Sequence, residues 1–225
     1  MNETVVRNAP LFAELSDESY LAVRERMESL TFRRGEEIFH EGSAGDRLFV
    51  LGSGKVKLGH VAPDGREHLL AILGPGEILG EVSLYDPGPR TATATALATT
   101  ELVELSHQGL LKILDARPEV SQHLLRSLAL RLRRTNDKVA DLIFSDVPGR
   151  VAKALLDLGR RFGERTDAGL KVTHDLTQEE LAQLVGATRE TVNKALAEFS
   201  SRGWLQLQGR SVILLDVDRL ARRGR

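Results

Sequence analysis

The chain has 225 residues, 41% of them hydrophobic and 28% charged, with a net charge of −1. That composition suits a globular protein with room for two modest domains, each with its own core. There is no cysteine, which excludes disulfides, thiolate metal sites, cysteine-ligated iron–sulfur clusters and thiol redox sensing.

No apolar run approaches the roughly 20 residues of a membrane span, and the N-terminus lacks a basic segment followed by a hydrophobic block. A cytoplasmic protein with no membrane partner is expected. The six histidines (40, 60, 68, 107, 123, 174) include no i, i+4 pair, so no metal site is expected. Aromatics make up only 4%, leaving Leu, Val, Ile and Ala to fill the cores. Residues 147–225 hold 14 Lys+Arg against 10 Asp+Glu, whereas residues 1–146 hold 17 against 22. A mildly basic C-terminal part on an acidic N-terminal part suits a regulator whose C-terminal domain meets phosphates.

In chain order, Ser16 to Leu30 reads as a short helix capped by Ser16. Eleven of the 20 glycines then lie between Gly35 and Gly88. They alternate with short apolar runs: Leu48-Phe49-Val50-Leu51, Lys55-Val56-Lys57-Leu58, Leu69-Leu70-Ala71-Ile72-Leu73 and Glu101-Leu102-Val103-Glu104-Leu105. Turn signals such as Pro63-Asp64-Gly65 and Gly74-Pro75-Gly76 separate them. Many short strands with regular turns predict an antiparallel sandwich or barrel.

Within this region runs Gly80-Glu81-Val82-Ser83-Leu84-Tyr85-Asp86-Pro87-Gly88-Pro89-Arg90-Thr91. Gly80 lets the backbone approach a ligand, and a turn of helix after it would aim N–H groups at an anion. Arg90 offers a planar fork for a phosphate and Thr91 a hydroxyl. Glu81 can accept from a sugar hydroxyl. The same residues are compatible with a surface turn carrying a solvated arginine.

From Pro118 to Phe144 the pattern turns helical. Leu125, Leu128, Leu132, Thr135, Val139 and Leu142 follow a 3–4 spacing, the seam of two helices packed side by side; a long helix packed on its own domain is the alternative. Thr135 is a polar residue on that seam, where it lowers stability and sets register or serves a function. Pro148-Gly149 is expected to end the helix and to begin the C-terminal part of the chain.

Thr177 to Leu196 reads as two short helices joined at Gly186. Thr177 and Glu180 stand at capping-box spacing, and Leu181, Leu184 and Val185 face inward. Thr188 can cap a second helix with Val192, Ala195, Leu196 and Phe199 inside. Arg189, Glu190 and Lys194 then lie outside near its start, where a helix-turn-helix meets base edges in the major groove. A helical hairpin with a solvated face remains open. Trp204-Leu205-Gln206-Leu207 and Ser211-Val212-Ile213-Leu214-Leu215 flank Gly209-Arg210 as a small β-hairpin or wing, followed by a basic tail, Arg219 to Arg225, read as a solvated end, with contact to DNA as the alternative.

With these pieces assembled, the whole chain resembles the CRP–FNR family of bacterial transcription regulators, nearest to the cyclic-AMP receptor proteins of the catabolite-activator type and their actinobacterial branch. G-E-V-S-L-Y-D-P-G-P-R-T, R-R-T-N-D-K-V-A-D-L-I-F-S-D-V-P-G-R and V-G-A-T-R-E-T-V-N-K-A-L carry the resemblance. It implies an α+β protein. Residues 1–116 would form a jelly-roll-like cyclic-nucleotide-binding β-roll, 117–145 a long dimerisation helix, and 146–225 a winged helix-turn-helix.

The ligand implied is 3′,5′-cyclic AMP, held by Gly80, Glu81, Val82, Ser83, Arg90 and Thr91. Glu81 would take the ribose 2′-hydroxyl, and Arg90 and Thr91 the cyclic phosphate. Thr135 and Asn136 would meet the adenine, one of them from the partner subunit. The family more often has Ser at the Asn136 position. Arg131 would pair with Glu81. Arg189, Glu190 and Lys194 would read bases, with Thr177, Gln178, Thr188 and Thr191 beside them on the DNA-binding surface. The family's enteric members have Arg where this chain has Lys194, which removes the bidentate fork at one base.

The partners implied are a second copy through the long helix, a double-stranded DNA palindrome of TGTGA-like half-sites and RNA polymerase, the last through the region around Gly159–Gly169. The bound nucleotide would reorient the DNA-binding domains about the Phe144–Pro148 hinge. The same fold could act as a constitutive regulator or sense another small molecule. No nucleophile–base–acid set, metal cluster or Walker loop points to an enzyme.

Overall fold

The computed structural model describes residues 3–13, 15–62, 65, 67–86, 88–116 and 118–224. Pro63 and Asp64 of the expected turn, Pro87 of the glycine-rich segment and Arg225 of the tail lie outside the described residues. The chain divides into two compact units, Met1–His60 with Leu70–Arg133, and Val61–Leu69 with Arg134–Arg225.

In chain order the elements begin with helices α1 (Glu3–Arg7) and α2 (Asp17–Arg24). Strands β1 (Glu28–Phe32), β2 (Glu37–Phe39), β3 (Arg47–Ser53), β4 (Val56–Val61), β5 (Glu67–Leu73) and β6 (Ile78–Leu79) follow. Then come α3 (Val82–Tyr85), β7 (Thr93–Ala96), β8 (Thr100–Ser106), α4 (His107–Ala116) and the 26-residue α5 (Glu119–Phe144). The strands form two four-stranded sheets, in the orders β1-β8-β3-β6 and β2-β7-β4-β5.

Strand periodicity decides where each sheet's side chains go. In β3, Leu48 and Val50 point to one face, where they join Val103, Leu105 and Ile78 against Val6, Tyr20, Leu110 and Leu124 of the helices. Phe49 and Leu51 point to the other face, where they join Leu102 and Leu79 against Val56, Leu58 and Ala94 of the second sheet. Successive side chains on opposite faces are the property of an extended strand, and a strand covered on both faces reads as an uninterrupted apolar run. The expected strands at Leu48–Leu51, Leu69–Leu73 and Glu101–Leu105 fall within β3, β5 and β8, and the run Lys55–Leu58 enters β4 at Val56.

One expectation is corrected here. The helix capped by Ser16 stops at Arg24 rather than Leu30. Leu30 is in β1, paired opposite Leu102 of β8; the ladder on β8 and the β-favouring Leu-Thr-Phe run outweigh helical spacing there. As expected, α5 ends at Phe144, before Pro148, which lies in the first turn of the next helix. A proline there has no intrahelical donor to lose. On α5, Val120 and Leu124 are buried, whereas Leu125, Leu132, Val139 and Leu142 of the expected seam are 61%, 62%, 52% and 47% exposed on the single chain.

The second unit continues with α6 (Val147–Phe162), β9 (Gly163–Thr166), β10 (Gly169–Thr173), α7 (Gln178–Val185), α8 (Arg189–Ser201), β11 (Leu205–Gln208), β12 (Ser211–Leu214) and α9 (Val217–Arg223). Its sheet runs β11-β12-β10-β9, antiparallel throughout. Val151, Leu155 and Leu158 of α6, Leu181 and Val185 of α7, and Val192, Leu196 and Phe199 of α8 fill its core. The helix α6 lies so close to the sheet that a Cβ on Gly159 would come within 3.1 Å of Leu170 and 3.3 Å of Leu214. The wing hairpin is present as expected, β11–β12 turning at Gly209.

Candidate functional site

In the first unit the segment after β6 gathers buried polar side chains, Glu81, Ser83 and Arg90, inside an apolar domain. Gly80 has φ +84°, and a Cβ there would meet Arg90 Nη1 at 2.5 Å and the Arg47 carbonyl at 2.9 Å. Only glycine combines that backbone with that approach. Glu81 follows and is 1% exposed. Its Oε1 accepts from Arg131 Nη1 on α5, while its Oε2 has no hydrogen-bond partner among the described residues. Arg131 also donates Nη2 to the Ile78 carbonyl at 2.6 Å, so it clamps the segment from both ends. Burial pushes the Glu81 carboxyl above its usual range, against the opposing pull of Arg131 and Arg90.

Arg90 is 4% exposed. It donates to the Gly80 carbonyl at 3.0 Å and the Arg47 carbonyl at 2.7 Å, and its guanidinium lies 4.4 Å from the centre of the Phe39 ring. Its Nε is unpartnered and, among the described residues, it has no carboxylate partner. Burial holds its pKa below the ordinary arginine value, with Asp46 and Glu81 pulling the other way. A buried guanidinium that makes no direct salt bridge, in the field of a buried carboxylate with an oxygen lacking a donor, is costly unless something satisfies both. A small ligand that places an anionic oxygen next to a hydroxyl does so.

The other sequence-predicted residues take distinct places. Ser83 is buried, and a Cβ on Gly45 would come 2.3 Å from its Oγ. Gly45, in the β2–β3 loop, was not among the predicted site residues; its only sequence signal is its membership of the glycine-rich stretch. Val82 and Thr91 are exposed. Thr135 and Asn136 lie on α5 one turn beyond Arg131, both exposed. The structure thus brings Gly80, Glu81, Arg90 and Arg131 together, and leaves Val82, Thr91, Thr135 and Asn136 open to solvent.

In the second unit the helix-turn-helix is set by local chemistry. Thr177 Oγ1 accepts from Glu180 N–H at 3.1 Å, and Glu180 Oε2 accepts from Thr177 N–H at 2.8 Å, a complete capping box. Gly186 ends α7 in the left-handed conformation (φ +64°, ψ +52°). Thr188 caps α8 by accepting from Thr191 N–H at 3.3 Å. With Val192, Ala195, Leu196 and Phe199 buried, Arg189, Glu190 and Lys194 project outward, and none of the three has an ion-pair partner among the described residues. Gln178 and Thr188 are also exposed, and Thr191 is half-buried.

Sequence reasoning missed the residue that fixes the turn. Arg150 on α6 donates Nε to the Val185 carbonyl at 2.8 Å, Nη2 to the Gly186 carbonyl at 3.1 Å, and Nη1 to the Ser145 carbonyl at 2.7 Å. It satisfies the open C-terminal carbonyls of α7 and brings a positive charge to the negative end of that helix. No spacing rule could reveal it, because its partners lie 35 and 36 residues away.

Comparison with known proteins agrees with both halves of this picture. The family model of a cyclic nucleotide-binding domain matches residues 29–117, and that of a Crp-like helix-turn-helix domain matches residues 149–223. The chain is 53% identical to a "CRP-like cAMP-activated global transcriptional regulator" of Mycobacterium tuberculosis over 225 residues, 100% of both chains. It is 36% identical to a "Cyclic AMP receptor protein" of Thermus thermophilus over 90% of each chain. Among solved structures, FixK2 of Bradyrhizobium japonicum superposes with a TM-score of 0.79 at 26% identity, covering 88% of this chain and 98% of that one. Similarity of this degree over the full length places the whole chain, and not one domain of it, in a single family: the chain belongs to the CRP family of transcriptional regulators.

Proposed function

We propose that the chain is a cyclic-AMP-responsive, sequence-specific DNA-binding transcription regulator that acts as a homodimer. The observation that carries the reading is the buried group around Gly80: a carboxylate oxygen of Glu81 without a donor and an Arg90 guanidinium that makes no salt bridge among the described residues. A cyclic nucleotide supplies the matching groups, a ribose hydroxyl and an anionic phosphate. Glu81 would accept from the 2′-hydroxyl, Arg90 and Thr91 would hold the phosphate, and Gly80, Val82 and Ser83 would shape the cradle. Arg131 holds Glu81 in place. Thr135 and Asn136 would meet the base, and their exposure on α5, next to the exposed seam, is consistent with a site completed by a second copy.

On the DNA side, Arg189, Glu190 and Lys194 would read base edges in TGTGA-like half-sites, with Thr177, Gln178, Thr188 and Thr191 beside them on phosphates. Two such helices in a dimer would enter successive major grooves about one turn apart. RNA polymerase would meet the β9–β10 hairpin around Gly163–Gly169. Among the described residues no helix is long and apolar enough to cross a membrane.

Fluorescence anisotropy of a labelled TGTGA-N6-TCACA duplex, at fixed near-physiological salt, tests the reading. The expected result is tightening of about tenfold or more with cyclic AMP and not with cyclic GMP. Tight binding unchanged by either nucleotide would instead mark a constitutive regulator or one that senses another small molecule.

A further inference from the structure

Only Ser145 and Asp146 separate α5 from α6. The Asp146 carboxylate accepts twice. Its Oδ1 takes the Gly149 N–H at 2.9 Å and so closes the first turn of α6. Its Oδ2 takes Arg223 Nη2 at 2.6 Å. Arg223 is the last residue of α9, and its backbone also presses on that turn. A Cβ on Gly149 would lie 3.2 Å from the Arg223 carbonyl, and one on Gly224 would lie 3.4 Å from Lys153 N. Leu220, three residues earlier, is 0% exposed, and Asp216 caps α9 by accepting from Arg219 N–H at 2.9 Å. The part of the basic segment within α9, Arg219 to Arg223, is therefore helical with a buried anchor, and Arg223 is committed to Asp146, the first residue of the DNA-binding part.

We propose that α9 is a clasp: through Arg223 it holds the Asp146 carboxylate in its capping position and confines bending between α5 and α6 to the peptide groups around Ser145. Other contacts span the same junction, among them Lys153 Nζ to Asp141 Oδ1 at 2.6 Å and Arg150 Nη1 to the Ser145 carbonyl at 2.7 Å. These join α5 to α6 and must change if the two helices reorient. The Asp146–Gly149–Arg223 group lies wholly beyond Ser145 and moves with α6. A helix N-terminus favours a carboxylate by itself, but an exposed aspartate such as Asp146 has several rotamers. The second donor selects the capping one before any ligand binds. Without it, the first turn at Val147–Gly149 opens more often. Motion arriving along α5 is then absorbed there instead of turning α7 and α8. Arg223 is thus a positioning residue for the switch, not a DNA contact.

This rests on the cyclic-AMP-responsive reading above. The test uses full-length Arg223→Ala and Asp146→Asn, the second keeping a capping acceptor but not the charge. Two readouts are taken: hydrogen exchange of the Gly149 amide, and the ratio of DNA affinities with and without cyclic AMP. Both variants are expected to exchange the Gly149 amide about fivefold faster. Both should lower the affinity ratio by about threefold with cyclic-AMP affinity unchanged, and Arg223→Lys should restore most of each. Wild-type exchange and a wild-type ratio in both variants would overturn the clasp, as would a ratio that falls only in step with cyclic-AMP affinity. A wild-type chain indifferent to cyclic AMP would defeat the functional reading alone, and the Gly149 exchange would still decide whether Arg223 holds the cap.

Discussion

Replacing Glu81 by Gln separates two consequences of burying a carboxylate. The substitution keeps the shape and an acceptor for Arg131 but removes the charge. In the ligand-free chain the folded-state pKa of Glu81 is raised, because burial outweighs the help of Arg131 and Arg90. A raised pKa means that the folded state binds this proton more tightly than the unfolded state does. The contribution to stability is therefore fully present below the ordinary value of 4.5 and is lost as pH rises through the raised folded-state pKa. Urea unfolding of the ligand-free wild type should show this gain on acidification across that window, and Glu81→Gln should not. Near pH 7 the variant should be at least as stable as wild type.

Ligand binding should move the opposite way. A single carboxylate oxygen, Oε2, is unpartnered, so one charge-assisted hydrogen bond is at stake. Such a bond contributes about 1.5–3 kcal/mol, or about 10- to 100-fold in affinity. Calorimetric titration with cyclic AMP measures it. Binding by the variant within about twofold of wild type would show that Oε2 is not a ligand group. A loss of more than about 1 kcal/mol of ligand-free stability near neutral pH would show that the Glu81–Arg131 pair is a structural ion pair first.

Arg150→Ala should destabilise the second unit by about 2–3 kcal/mol in urea unfolding, since two half-buried and one exposed carbonyl lose a cationic donor. Arg150→Lys should recover only part of this, because a point charge cannot span three carbonyls; a loss under about 0.5 kcal/mol for the alanine variant would sink the argument. Leu132→Lys, at a position 62% exposed on the single chain, should leave the fold intact and weaken self-association by about 100-fold in sedimentation equilibrium. An unchanged dimer would move the association surface off α5. Lys194→Arg should sharpen discrimination at one base of the half-site by about 1–3 kcal/mol, read from a panel of single-base duplex variants. Uniform tightening across that panel would identify position 194 as a phosphate contact.

The parts of this protein legible in its sequence are those whose cause lies within a few residues. The capping box at Thr177 and Glu180, the cap at Thr188 and the left-handed turn at Gly186 each involve groups no more than three or four positions apart, and each formed as read. The apolar runs of β3 and β8 and the buried stripe of α8 follow from the periods of strand and helix. Arg131 with Glu81, 50 residues apart, came only through resemblance, since no spacing rule connects them.

What the tertiary structure decided is which of two locally acceptable states wins and which polar groups are left without partners. Leu30 fits a helix by spacing, yet pairs opposite Leu102 in a ladder 72 residues along the chain. Pro148 could end a helix or begin one, and it begins one because Asp146 supplies the cap. The C-terminal arginines read as a solvated end, but Leu220 is buried and Arg223 reaches Asp146, 77 residues away. Whether Arg90 has a counter-ion, and whether both oxygens of Glu81 have donors, are properties of the space around them. Local sequence determines backbone preference and periodicity through short-range sterics and hydrogen bonding. Burial, which gives an unpaired charge its chemical force, is set only when distant segments close over it.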